Sequence, residues 1–248
     1  MMIGSGAHNL VIGISSLVER RCEPDIPDSY TIRCDYIDSV IEAGGFPVMI
    51  PCHPHKKVLD EYLKNIDGIV FIGGPDWPAE FYDESNVPEN RSGERLNSES
   101  DLYLMRESLR RKIPILGICA GSQLLSIACG GKLIQHIDNV EQHNDFKALH
   151  KVNLTGNGRI LKSFIDGNEF LTNTEHHQAI NPEKPGKGLL VSAVAEDGTV
   201  EAIEGTGNVF ILGVQFHIER QNNGSLREII FKKLINEVKL NQKIRRVR

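Results

Sequence analysis

Short continuous apolar runs alternate along this chain with longer stretches whose apolar residues fall three or four apart. The first kind occurs at Leu10 to Ser15, at Phe46 to Ile50 (stopped by Pro51), at Gly68 to Ile72 and at Ile113 to Ile118. Runs of that length with no polar alternation predict strands buried on both faces. Between them, Ile32, Tyr36, Ile37, Val40 and Ile41 share one helical face, with Asp28 placed to cap the helix and Gly44-Gly45 to end it. Val58 to Leu63 predicts a helix fragment, and a helix from about Ser98 carries Leu102, Met105 and Leu109 on one stripe. Apolar strands separated by amphipathic helices predict an α/β fold with a parallel sheet covered on both sides.

Beyond Gly131 the pattern shortens. Strands are expected at Lys132 to Ile137, Lys151 to Leu154, Leu189 to Ala195, Thr199 to Glu204 and Val209 to Val214, with a closing helix from Ser225 to about Leu240. Pro75 to Asn97 is a long polar loop, of a length that is usually functional or disordered. No repeat, low-complexity tract or linker divides the 248 residues.

Composition adds limits. Hydrophobic residues make up 40% and charged residues 25%, and the net charge of −5 offers no general attraction to nucleic acid or to an anionic membrane. The basic end, Lys243 to Arg248, reads as a solvated tail. Five cysteines (Cys22, Cys34, Cys52, Cys119, Cys129) form no C-x-x-C pair, which points to a reducing compartment rather than to disulfides or a cysteine zinc site. Neither a signal peptide nor a membrane span is recognisable, so a cytoplasmic setting is expected.

Two stretches carry candidate chemistry. In "GICAGSQLLSIACGG", Cys119 sits where a strand should turn into a helix, with Gly117 and Gly121 two places away on either side. A nucleophile on such a corner stands clear of its neighbours. A helix N-terminus can lower a thiol pKa from about 8.5 to roughly 3.5–7.5. The free amide of Ala120 would face a developing oxyanion. Alone, the corner leaves a nucleophile and a small buried hydrophobe equally open, and Cys129, without flanking glycines, reads as core. In "GVQFHIE", His217 and Glu219 follow a buried strand two residues apart. In extended backbone they would share a face, so that Glu219 holds one ring nitrogen while the other meets the thiol. The neighbours His176 and His177 suggest a metal site on their own, but adjacent residues on a strand face opposite ways. His53 and His55, around Pro54, read as chemically idle.

Together, "GICAGSQ", "EHHQAI" and "GVQFHIE" resemble class I glutamine amidotransferase domains, and within them the γ-glutamyl-γ-aminobutyrate hydrolase type of γ-glutamyl hydrolase. "FIGGPDWPAEFYDE", "YIDSVIEAGGFPVMIP" and "GGKLIQHI" extend the resemblance over nearly the whole chain. It implies a single domain over residues 1–248, a three-layer αβα flavodoxin-like fold with a mostly parallel central sheet, and a catalytic triad of Cys119, His217 and Glu219. It further implies an oxyanion hole from the amides of Gly74 and Ala120, with Gln123 and His176 beside the substrate. The activity implied is hydrolysis of a small γ-glutamyl amide to glutamate and an amine through a thioester, with neither metal nor organic cofactor. The expected partner is that small molecule, with no nucleic acid and no membrane, and a homodimer is allowed. Ala120 stands where such hydrolases often have arginine, which leaves the amine side of the substrate open. The alternatives are a glutaminase subunit feeding ammonia to a separate synthetase and a non-catalytic binding module on the same fold.

Overall fold

The computed structural model describes residues 10–20, 27–145, 147–221 and 226–247. In chain order the first half runs β1 (Val11–Ser15), β2 (Leu17–Glu19), β3 (Ser29–Thr31), α1 (Cys34–Glu42), β4 (Phe46–Ile50), α2 (Lys56–Asn65), β5 (Gly68–Phe71), α3 (Arg95–Arg110), β6 (Ile115–Ile118) and α4 (Ala120–Ala128). The second half follows with β7 (Leu133–Ile134), β8 (Leu149–Leu154), β9 (Glu169–Asn173), β10 (Ala179–Ile180), β11 (Leu189–Ala195), β12 (Val200–Gly205), β13 (Ile211–Val214) and α5 (Leu226–Val247).

Nine strands form one sheet in the order β4-β1-β5-β6-β13-β12-β11-β8-β9. Pairings from β4 through β13 are parallel, and those from β13 to β9 are antiparallel. Every residue of β5 and β6 is buried, as strands covered on both faces must be. One apolar core joins α1 and α5 to the sheet through Tyr36, Val40, Phe231 and Leu234. The other joins α2, α3 and α4 through Leu59, Met105 and Leu124. The result is the expected three-layer α/β arrangement with its mostly parallel centre, extended on one side by an antiparallel wing.

Several local expectations change. Asp28 does not cap α1: Arg33 is the residue before that helix, and residues 29–31 form a strand paired with β2. The Lys132-to-Ile137 run forms strand only at Leu133–Ile134, paired with β10. β9 escapes the sequence pattern because its burial lacks a clean alternation. The Pro75-to-Asn97 loop is packed rather than loose, with Trp77, Ala79 and Tyr82 buried around a turn of 3₁₀ helix at Ala79–Tyr82. Among the described residues no helix is long and apolar enough to cross a membrane. Cys22 and Ser225, the expected start of α5, lie outside the described residues, as do the side chains of the basic end from residue 244 onward.

Candidate active site

β6 and β13 are parallel neighbours at the centre of the sheet, and their carboxyl ends deliver the candidate residues side by side. Cys119 fills the corner between β6 and α4, its amide donating to Val214 O on β13 at 2.8 Å. Its backbone is held at φ 51° and ψ −111°, a conformation that costs a non-glycine residue about 1–3 kcal/mol. Packing enforces it. A methyl group on Gly121 would lie 2.3 Å from the carbonyl oxygen of Phe71, and one on Gly117 would lie 2.6 Å from that of Gly121. Only glycines let β5, β6 and α4 meet this closely.

His217 ends β13. Asn173, at the end of β9, grips its backbone twice: His217 N donates to Asn173 Oδ1 and Asn173 Nδ2 donates to His217 O, each at 2.9 Å. The ring Nδ1 donates to Glu219 Oε1 at 2.7 Å, which leaves Nε2 for the thiol. Extended geometry does not make this pair, as the sequence suggested; residues 218–220 form a 3₁₀ turn that curls the carboxylate back under the ring. Thiol and imidazole crowd the same glycine, for a methyl group on Gly73 would sit 2.8 Å from His217 Cε1 and 3.4 Å from Cys119 Cβ. Burial opposes charge on His217, but Cys119 and then Glu219 outweigh it and raise the imidazole pKa to about 10. With a thiol, an imidazole and a carboxylate in series, the imidazole can take and return the thiol proton while the carboxylate orients it and stabilises its charge.

Gly74, just past β5, and Ala120, the first residue of α4, line one small recess together with Leu17, Trp77, Asn97 and Asp101. As the first residue of its helix, Ala120 has an amide with no carbonyl one turn earlier to accept it. Trp77 Nε1 donates to Ala120 O at 2.7 Å and fixes the start of the helix. Burial pushes the Asp101 carboxyl up to about 8.

The structure places Gln123 and His176 further out. Gln123 Nε2 donates to Gln178 O at 3.0 Å and to Gln215 Oε1 at 3.1 Å, and it is Gln215 whose Nε2 faces Cys119 Sγ at 3.6 Å. His176 Nδ1 donates to the same Gln178 carbonyl at 3.0 Å, while its Nε2 faces Glu201. His177 turns the other way, to Asp76 at 3.0 Å. Cys129, at the end of α4, is partly buried and its thiol is raised to about 11 by that burial. Sequence reasoning missed Asn173, Gln215 and Tyr36. Tyr36, on α1, accepts the Gly73 N–H at 3.0 Å, and burial together with the charge of Glu219 holds its hydroxyl pKa well above the usual range. Gln215 lies within the "GVQFHIE" motif; nothing in sequence marks the other two. One group of described residues, His143, His176 and Glu201, has the spacing to hold a metal ion.

Residues 10–219 match the sequence model of the Peptidase C26 family. The chain belongs to that family. Its relatives include a protein of Mycobacterium tuberculosis named as a glutamine amidotransferase, 33% identical over 93% of this chain and 75% of its own. The γ-glutamyl-γ-aminobutyrate hydrolase of Escherichia coli K12 is 29% identical over 83% of this chain and 85% of its own. A solved structure from Thermoplasma acidophilum, described as part of a GMP synthase, superposes with a TM-score of 0.67 over 97% of this chain and all of its own. At 18% identity that likeness speaks for the fold alone. Membership of the Peptidase C26 family makes the chain a glutamine amidotransferase-like hydrolase acting on a small molecule.

Proposed function

We propose that this enzyme hydrolyses the γ-glutamyl amide bond of small γ-glutamyl conjugates, γ-glutamyl-γ-aminobutyrate or a close analogue, to glutamate and a free amine. The observation that carries the reading is the His217 ring, bonded to Glu219 at 2.7 Å and set beside a cysteine held at φ 51° on a helix N-terminus. A buried structural cysteine needs none of this.

In this reading the Cys119 thiolate attacks the γ-carbonyl carbon. The oxyanion rests on the amides of Gly74 and Ala120, which share one recess. His217 gives its proton to the departing amine, and Glu219 stabilises the imidazolium before that transfer. Water then attacks the thioester, His217 takes its proton, and glutamate leaves with the thiol restored. Gln123 shapes the pocket through Gln215 rather than by touching the nucleophile. The setting is reducing and cytoplasmic, consistent with four free thiols among the described cysteines.

Steady-state release of glutamate from γ-glutamyl-γ-aminobutyrate, its α-linked isomer and glutamine tests the proposal. We expect the γ-linked compound to be cleaved well, the α-linked isomer scarcely and glutamine poorly. A clear preference for glutamine would transfer the reading to an ammonia-donating subunit. Cleavage of none would leave a binding module.

A further inference from the structure

β12 carries two fully buried glutamates, Glu201 and Glu204, and the pairing with β11 slips by one residue at Glu201. Glu204 is satisfied: its oxygens accept the amides of Arg159, Ile160 and Leu161 at 2.8, 2.7 and 3.0 Å. Glu201 is not. Neither of its oxygens has a hydrogen-bond partner, and neither do His143 Nδ1, His150 Nε2 or His176 Nε2, all buried. Those three nitrogens nevertheless converge on Glu201 Oε1, at 3.5, 3.7 and 3.4 Å.

Tautomers sharpen the conflict. His176 Nδ1 faces the backbone carbonyl of Gln178 at 3.0 Å, which only accepts, so Nδ1 carries the proton. His143 Nε2 faces the Asp197 carboxylate at 2.9 Å and carries its proton likewise. In neutral imidazoles the remaining nitrogens, His143 Nδ1 and His176 Nε2, are then lone pairs aimed at a carboxylate. Buried acceptors facing one another need a positive charge between them, either a proton on an imidazole or a metal ion.

We propose that His143, His176 and Glu201, joined by His150, bind one divalent transition-metal ion, zinc by donor type. Tetrahedral ligands about 2.0–2.1 Å from zinc stand about 3.3 Å apart; His143 and His176 lie 3.5 and 3.4 Å from Glu201 Oε1, with all three ligand atoms within 4.8 Å of one another. The outer contacts fit too. Metal-bound histidines donate their other N–H to a carboxylate or a backbone carbonyl, as His143 does to Asp197 and His176 to Gln178. His143, His176 and Glu201 alone have the spacing for an ion, and His150, 3.7 Å from Glu201 Oε1, would have to close in to complete a four-ligand structural site. Partly exposed His150 provides the way in. The ion would brace residues 173–178, since His176 N and Thr174 Oγ1 both donate to His143 O, at 2.8 and 3.0 Å. That segment contains Asn173, which grips His217, and Gln178, which anchors Gln123.

The test is metal content of the full chain purified without a metal-affinity step, then stripped with a chelator and titrated with zinc sulfate or cobalt(II) chloride. We expect about one zinc per chain, a visible absorption band of tetrahedral cobalt, and a melting temperature that rises on zinc addition. Glu201→Gln and His176→Ala should lose the band, and Asp197→Asn, outside the ligand set, should weaken zinc about 10- to 100-fold. Should a variant fail to fold, the wild-type titration decides alone. Wild-type protein that binds no zinc and gives no cobalt band overturns the proposal, as does a Glu201→Gln protein that binds zinc like wild type.

Discussion

The corner at Cys119 and the histidine cluster at Glu201 are both buried polar groups at one end of the same sheet, yet they are built by opposite means. At the corner, backbone does the placing: flanking glycines force the strand-to-helix turn, and Asn173 clamps both polar atoms of the His217 main chain. Its side chains then meet at ordinary hydrogen-bond distance, Glu219 to His217 at 2.7 Å. In the cluster, four side chains from separate segments converge with their facing atoms unbonded. A reactive site wants its charges paired but its nucleophile strained and free. A structural ion site wants donors aimed at a point and left unpaired until the ion arrives.

If the two sites are independent machines, Cys119→Ala should remove turnover by on the order of 10⁶-fold while leaving zinc content and melting temperature nearly unchanged, as read by kinetics and metal analysis. Loss of zinc in that variant would break the distinction. His217→Ala should be nearly as severe, and the His217→Ala/Glu219→Gln double variant scarcely worse, since members of one catalytic unit are not additive.

Glu219→Gln alone should cost roughly 10²- to 10⁴-fold in kcat. It should also move the pH profile. The proton-donating form of His217 persists below a pKa of about 10 and is lost above it, so kcat/KM should fall as pH approaches 10. Removing the Glu219 charge, one of the causes that raise this pKa, should bring the fall to lower pH. The stability linked to His217 follows the same sign: complete below its ordinary value of 6.5, and lost as pH rises through about 10. An alkaline limb that does not move in Glu219→Gln would remove Glu219 from its assigned place.

Gly121→Ala should destabilise the fold by about 1–3 kcal/mol or more, because the added methyl meets the Phe71 carbonyl rather than a side chain that can move. That corresponds to a loss of several degrees or more in melting temperature at about 2–4 °C per kcal/mol. The smallest effect expected is that of Asn173→Ala, which bridges the two regions. Freeing the His217 backbone should lower kcat roughly 10-fold with little change in KM, since it disturbs orientation and not binding. An unchanged kcat would show that the 3₁₀ turn alone holds the ring.

The same contrast explains what is legible in the sequence. Parallel strands announce themselves as apolar runs, so β1, β4, β5 and β6 stand within a residue or two of where the pattern puts them, but β4, at the sheet edge, leaves Phe46 and Met49 exposed instead of buried on both faces. The Cys119 corner is legible because its determinants lie within two residues of the cysteine, and His217 and Glu219 because they sit two apart. β9, at the edge of the antiparallel wing, mixes exposed and buried positions without clean alternation, which hides it, and the β2–β3 pair is too short to show a pattern. The histidine cluster draws on residues 143, 150, 176 and 201, which only the folded sheet brings together. His176 and His177 do take different partners, Gln178 and Asp76, but from the segment between β9 and β10 and not from a strand. It does not follow that His176 lacks metal-binding company, for its partners come from other segments.

Trp77 is the only tryptophan in the chain, and its indole N–H is tied to the carbonyl of Ala120, one residue past the proposed nucleophile Cys119. The protein therefore carries its own optical gauge. Indole emission shifts with the strength of the bond at Nε1, so a covalent adduct on Cys119 that tilts the first turn of α4 would register as a change in colour or brightness. Rapid-mixing fluorescence could then follow acylation and deacylation of the unlabelled enzyme in real time.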